Sequence, residues 1–329
     1  MRNIFRLSII LMLIFALAGC KATFPKETLA QSIAALCLEE YGLEIKAEVI
    51  GQTLAVYLPL KSLLDLSFGL SEEAQDAIQD VLLSASRVVL STDADIRFYC
   101  VIAQDIRLPE LQVIVIKSVE DVKRAYFNDI SRGEYLKRTI FDININPQSR
   151  KEQTIKDVFK KYKLDPEWQD QILEEFFRNT PLALKDFGYW NDRFYVKNIT
   201  LPEFIAEQIV YRIRMHFREN KELARKYVVK AVNARYEEEG NARQFRVDFD
   251  IKLNEVLKVL GEAGGDDGVI FGNVMEEIAD CVYGYKFEDF DSVKCVDAAS
   301  GKKLTVSKNE IYALKKRKIN MDNVLAGLS

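Results

Sequence analysis

Between Glu27 and Phe127 the apolar residues switch repeatedly between a helical spacing and a strand spacing, which confines the chain to layers of helix on sheet. Glu27 to Tyr41 carries Leu29, Ile33, Leu36 and Cys37 at helical intervals, and Gly42 stops it. Residues 44–50 and 53–58 read as strands joined at Gly51-Gln52. Ser71 is placed to cap a helix to about Leu90, with Glu72 and Glu73 in its first turn. Residues 96–103 and 111–116 form the next strand pair, around Pro109, and Ser118 stands where it would cap a further helix through Val122, Tyr126 and Phe127. Ile140 to Ile145 adds an edge strand before Pro147.

The rest repeats the theme. Gln153 to about Arg218 reads as mainly helical, with Asp165-Pro166-Glu167 as a helix start and Thr200 to Glu203 as a capping box. The helix after Thr200 presents Phe204, Ile205, Ile209, Ile213 and Phe217. Residues 226–236 and 244–251 pattern as a long hairpin, and Gly264 to Gly268 is a flexible break. A helix near Asn273 to Ala279, strands near 282–287, 292–296 and 303–306, and a capping box from Ser307 to Glu310 complete the reading. The expected fold is α+β: an N-terminal αββαββ layer (26–147), a helical middle segment (148–222) and a C-terminal ββαβββ layer (223–329). The strand-strand-helix-strand-strand order of the last part raises an internal duplication, without matching residues. The αββαβ order of the first part resembles the small BON domains of periplasmic proteins; their glycine pattern is absent, so none of that family's function is carried over.

The first twenty residues have a different logic. Arg2 and Arg6 precede an almost wholly apolar run from Leu7 to Leu17, then the small Ala18 and Gly19, the order of a secretory signal. The run is short for a bilayer span, which needs about 20 apolar residues. Leu17-Ala18-Gly19-Cys20 resembles the lipobox of bacterial lipoproteins. That resemblance covers only this segment. It implies removal of residues 1–19, a diacylglyceryl group on the Cys20 thiol and a lipidated tether over 20–25. The expected address is the cell envelope, with the membrane as partner through that lipid. Lys21 in second place, rather than Asp, leans toward the outer membrane and the periplasm under the enterobacterial sorting rule. An envelope protein partner is the further expectation.

Composition excludes several classes. The chain of 329 residues carries a formal charge of −4, and losing the signal removes two arginines more, so nonspecific nucleic-acid binding lacks its basic footprint. Beyond Cys20 four cysteines remain, an even number that permits two disulfides in an oxidising compartment; Cys281 with Cys295 and Cys37 with Cys100 are the favoured pairs, the alternative being buried thiols. A single histidine, His216, rules out every multi-histidine zinc site, and its place on a charged helix reads as a solvated or satisfied side chain. No phosphate-loop, dinucleotide or metalloprotease motif is present, and no cofactor or metal is expected.

Three groups keep some chemical interest. Glu174-Glu175 and Glu237 to Glu239 are adjacent acids, but neighbours on a helix do not face each other, and the triple reads as a solvated loop. Asp266, Asp267, Asp289 and Asp291 offer oxygens for Ca²⁺ without the EF-hand spacing. Tyr189, Trp190, Phe194 and Tyr195, interleaved with polar residues, suit either a recognition surface or a core between domains. Leu70 to Asp76 is similar to the first helix of OmpA-like peptidoglycan-binding domains, whose paired Asp and Arg motif has no counterpart here. Two function classes follow: a non-catalytic binding or assembly module anchored in the envelope, and a carboxylate-dependent hydrolase of an envelope polymer.

Overall fold

The computed structural model describes residues 23–65, 69–145, 182–240, 242–254 and 267–329. The signal segment with Cys20, the helix start at Asp165, the Glu174-Glu175 pair and Asp266 lie outside them.

The first half follows the alternation in the sequence. Helix α1 (Leu29–Tyr41) buries Leu29, Ile33 and Cys37, and Gly42 ends it at φ 68° with its amide on Leu38 O. Strands β1 (Lys46–Ile50) and β2 (Thr53–Leu60) turn at Gly51, also left-handed. Helix α2 (Glu72–Leu90) is capped as expected, the Ala74 amide donating to Ser71 Oγ at 3.2 Å. Strands β3 (Phe98–Asp105) and β4 (Leu111–Ser118) lead straight into α3 (Val119–Tyr126). A short helix not anticipated, α4 (Arg132–Lys137), is capped by Ser131 and precedes the edge strand β5 (Ile140–Ile145). The sheet runs β1-β2-β3-β4-β5, antiparallel except for the β2–β3 pair that α2 bridges.

The middle segment departs from the helical expectation. Residues 188–195 form a hairpin, β6 (Gly188–Trp190) and β7 (Arg193–Tyr195), because Asn191 and Asp192 both take φ > 0, the backbone of a tight two-residue turn. Helix α5 (Leu201–Glu219) follows, then α6 (Lys221–Lys226), so a boundary at residue 222 falls inside a helix. The long hairpin is β8 (Tyr227–Glu239) with β9 (Ala242–Leu253). Helix α7 (Asp267–Gly284) is longer than the expected Asn273–Ala279 and absorbs the first residues of the expected strand at 282–287. Buried Cys281 and Val282 continue its apolar face, so the local apolar run belongs to a helix. Strands β10 (Ser292–Asp297) and β11 (Lys303–Ser307) and helices α8 (Lys308–Lys315) and α9 (Met321–Leu325) finish the chain. The second layer is therefore ββαββ closed by helices.

The two halves share one path. In each, a helix precedes an antiparallel hairpin, a long helix crosses over to a parallel neighbour, and a second hairpin ends directly in a helix. The second sheet runs β11-β10-β9-β8 with β9 and β10 parallel beneath α7. Ser118 and Ser307, each the last residue of its strand, are equivalent in this scheme.

Burial distinguishes the sheets. β3 is buried at every position, and continuous apolar strands of this kind need cover on both faces. Helices α1 and α2 cover one face, packing on Val101 and Val113; residues 184–204, with Phe187, Ile199 and Phe204, cover the other over Cys100 and Ile114. In β9 and β10 buried and less buried residues alternate, so the second sheet buries one face, under α5 and α7. Helix α5 joins both bodies: Phe204 packs in the first half while Ile205, Ile209 and Ile213 belong to the second.

Candidate functional site

The aromatic group resolves mainly as core. Tyr189 is buried, its ring stacked on Tyr57 at 3.8 Å and met edge-on by Phe194 at 4.9 Å. Gln112, on β4, bonds both backbone groups of Tyr189, donating to its carbonyl at 2.7 Å and accepting from its amide at 3.1 Å. Of the two readings Tyr189 takes the core one, as part of the cover of a doubly buried sheet. Trp190, Phe194 and Tyr195 are half-buried at its margin. Lys46 pairs with Asp192 at 2.8 Å beside them, and a shallow cleft of ≈ 290 Å³ opens between Gln104, Pro109 and Trp190.

The cysteine pairings are also corrected. Cys37, Cys100, Cys281 and Cys295 are all free and buried. Cys37, on α1, packs against one face of the first sheet, while Cys100 points to the opposite face with Phe98 and Ile102, so the sheet itself separates them. Cys281 and Cys295 share the second core, one on a helix and one on a strand rather than on adjacent strands. Burial pushes the Cys281 thiol up to about 12.

The acids have structural work. Arg243 takes Asp289 in an ion pair, and its amide donates to Asp291 at 2.8 Å. Asp267 opens α7 and pairs with Lys302 at 2.6 Å. Glu237 to Glu239 end β8 instead of forming a loop, with Glu237 held by Arg235. Among the described residues no group of three His, Cys, Asp or Glu stands together in a way that could hold a metal ion. His216 is a satisfied side chain, with Nδ1 3.0 Å from Glu277 and Nε2 2.8 Å from Asn273 Oδ1. Burial raises the carboxyls of Glu207 and Asp142, and for Glu207 the negative charges of Asp142 and Asp186 add to it.

A buried polar network joins the halves. Arg138, 3% exposed, pairs with Asp121 at 2.9 Å and Glu134 at 2.7 Å and donates to Gly284 O at 3.0 Å. Arg212 adds a bond to Glu134 at 2.8 Å, and Tyr285 OH donates to Asp121 at 3.0 Å. A Cβ on Gly284 would stand 2.8 Å from Arg138 Nη2, so any larger residue there would push the guanidinium out of its place. Burial would raise the Glu134 carboxyl, but hydrogen bonds from Arg212 and Arg138 hold it below the usual range.

A cleft of ≈ 560 Å³ lies where loop 91–97, the start of α3 and the start of α5 meet. Its lining includes the apolar Ile96, Phe98, Val119 and Ile199, and Ser118 brings a hydroxyl to it. Arg97 and Lys123 supply positive charge at the walls, Asp95 and Glu120 negative. The same loop holds the segment that leads into α1. The Phe24 amide donates to Ser91 O at 3.2 Å and the Lys26 amide to Asp93 Oδ1 at 2.8 Å. No family profile, no curated protein and no solved structure matches this chain. Sequence reasoning missed the cleft: its parts come from positions 52 to 202, and no local pattern links them.

Proposed function

We propose that the chain is a lipid-anchored envelope protein whose folded body is a binding or assembly module, held with the loop 91–97 end against the bilayer. The observation that carries this reading is the pinning of Phe24 and Lys26 to that loop, four residues after the lipobox cysteine. Four residues span at most roughly 14 Å. A lipid on Cys20 therefore leaves the body little freedom to turn away. More than one acyl chain is needed for stable anchoring, as lipobox processing would supply. Lys21 favours the outer membrane, facing the periplasm. The described residues contain no helix long and apolar enough to cross a membrane, so the lipid is the attachment the reading requires.

Growth with an alkyne-labelled fatty acid tests the anchor. Wild-type protein takes up the label and Cys20→Ala takes up none; an unlabelled wild-type protein sinks the reading. Glu207 and Asp142 favour a second reading, a carboxylate-dependent hydrolase, since burial raises both carboxyls and perturbed acids are candidates for acid–base work. Release of dye from labelled cell-wall polymer checks it: a hydrolase loses that release in Glu207→Gln, and a protein that releases none at any concentration is not one.

A further inference from the structure

We propose that the cleft between loop 91–97, α3 and α5 binds a phosphate ester, and that the phosphodiester of a phospholipid headgroup is its source. The lipid source rests on the anchored reading above; the phosphate site does not.

The argument starts from two serines in equivalent places. Ser307 caps α8: its hydroxyl accepts the Glu310 amide at 3.3 Å and donates to the Glu310 carboxylate at 2.6 Å. Ser118 holds the same position before α3 but makes no cap bond, although it is only 5% exposed. The acid that would complete its box, Asp121, is drawn away to Arg138 and Tyr285. The Ser118 hydroxyl is left without a partner in the cleft lining, on the strand face it shares with Phe98, where the first turn of α3 also lacks its side-chain cap. A hydroxyl that opens onto a cleft without a protein partner can both donate to and accept from a ligand there. A helix start without its cap favours an acceptor that carries negative charge.

Charge narrows the ligand. Arg97, a fork donor suited to phosphate, and Lys123 face the cleft. Asp95 is engaged by Gln52 and lies 3.6 Å from Arg97, and Glu120 is exposed at the rim. Two acids against two cations disfavour a dianion, so a diester with one negative charge fits better than free phosphate at neutral pH. Position narrows it again. The cleft borrows Asp95, Ile96 and Arg97 from the loop that pins Phe24 and Lys26. One turn beyond Lys123, α3 ends in exposed Tyr126 with exposed Phe127 next to it, and aromatic side chains are common at membrane interfaces.

The test uses the purified full chain in a phosphate-free non-ionic detergent, titrated calorimetrically with glycerophosphoglycerol, inorganic phosphate and glycerol. Saturable binding of the diester is expected, weaker binding of inorganic phosphate, and none of glycerol. Arg97→Gln and Ser118→Val should each weaken diester binding about tenfold, the scale of one charge-assisted hydrogen bond, with unchanged unfolding midpoints; Lys252→Gln, remote from the cleft, should not weaken it. Tighter binding of inorganic phosphate than of the diester overturns the lipid source and keeps the phosphate site. No saturable binding of either, or binding indifferent to Arg97→Gln, overturns the site. Fatty-acid labelling of Cys20 is read separately, so the anchor and the cleft fail independently.

Discussion

Ser118 and Ser307 end equivalent strands, yet only Ser307 bonds the first turn of the helix that follows. The difference predicts unequal costs. Ser307→Ala should destabilise the protein by about 1 kcal/mol, the usual value of an N-cap, while Ser118→Ala should stay within about 0.5 kcal/mol. Urea midpoints of the two variants check this; equal losses would mean that Ser118 caps α3 in solution. Both serines were legible as cap positions because a small hydroxyl residue precedes a helical period in each. That one of them fails to cap was not legible. It depends on where Asp121 goes, and Arg138 that takes it lies seventeen residues away on another element.

At the scale of elements, the period of the apolar residues carried most of the information. The succession of helices and strands in the first half and the long hairpin in the second were readable from it; the strand order and the parallel pairs were not. Two elements were not. The β6–β7 hairpin is six strand residues with a turn, too short to show a period, and its aromatics pattern equally as surface or core. The run after Cys281 is apolar enough for a strand, but helix α7 continues through it because Cys281 and Val282 prolong a face already buried. Hairpin docking offers a test. A Cβ on Gly188 would meet Gln112 Oε1 at 2.8 Å, and Gln112 is the buried group that holds Tyr189. Gly188→Ala should therefore cost about 1–3 kcal/mol by stranding a buried amide. Thermal unfolding of the variant, with Gln112→Ala as the comparison, measures it; a variant as stable as wild type would show that Gln112 is free to move.

For the whole molecule, the ion network around Arg138 is the polar link between the halves. Arg138→Met would leave Asp121 buried without its cation, at a cost of about 3–5 kcal/mol. Glu134 gives the network a pH dependence. Its folded pKa lies below its unfolded one, so its contribution is present above the ordinary glutamate range of about 4.3 and is lost as pH falls through the lowered value. Stability followed by denaturant titration from pH 7 to pH 3 should drop more steeply for wild type than for Arg138→Met; parallel curves would remove Glu134 from the account. Among the described residues the four cysteines are free and buried, so none of them joins the halves through a disulfide.

What the sequence determined by itself is local: a layered α+β fold and several of its caps and turns. These follow from periodicity and from single residues with special backbone or hydrogen-bonding needs, which act over a few positions. The tertiary structure alone decided which face each cysteine takes, that Tyr189 is core, that the two halves repeat one path, and that loop 91–97 meets α3 and α5 in a cleft. Each of these depends on residues far apart in the chain being brought together by packing. Nothing in the spacing of Arg97, Ser118 and Thr200 announces that they share a wall.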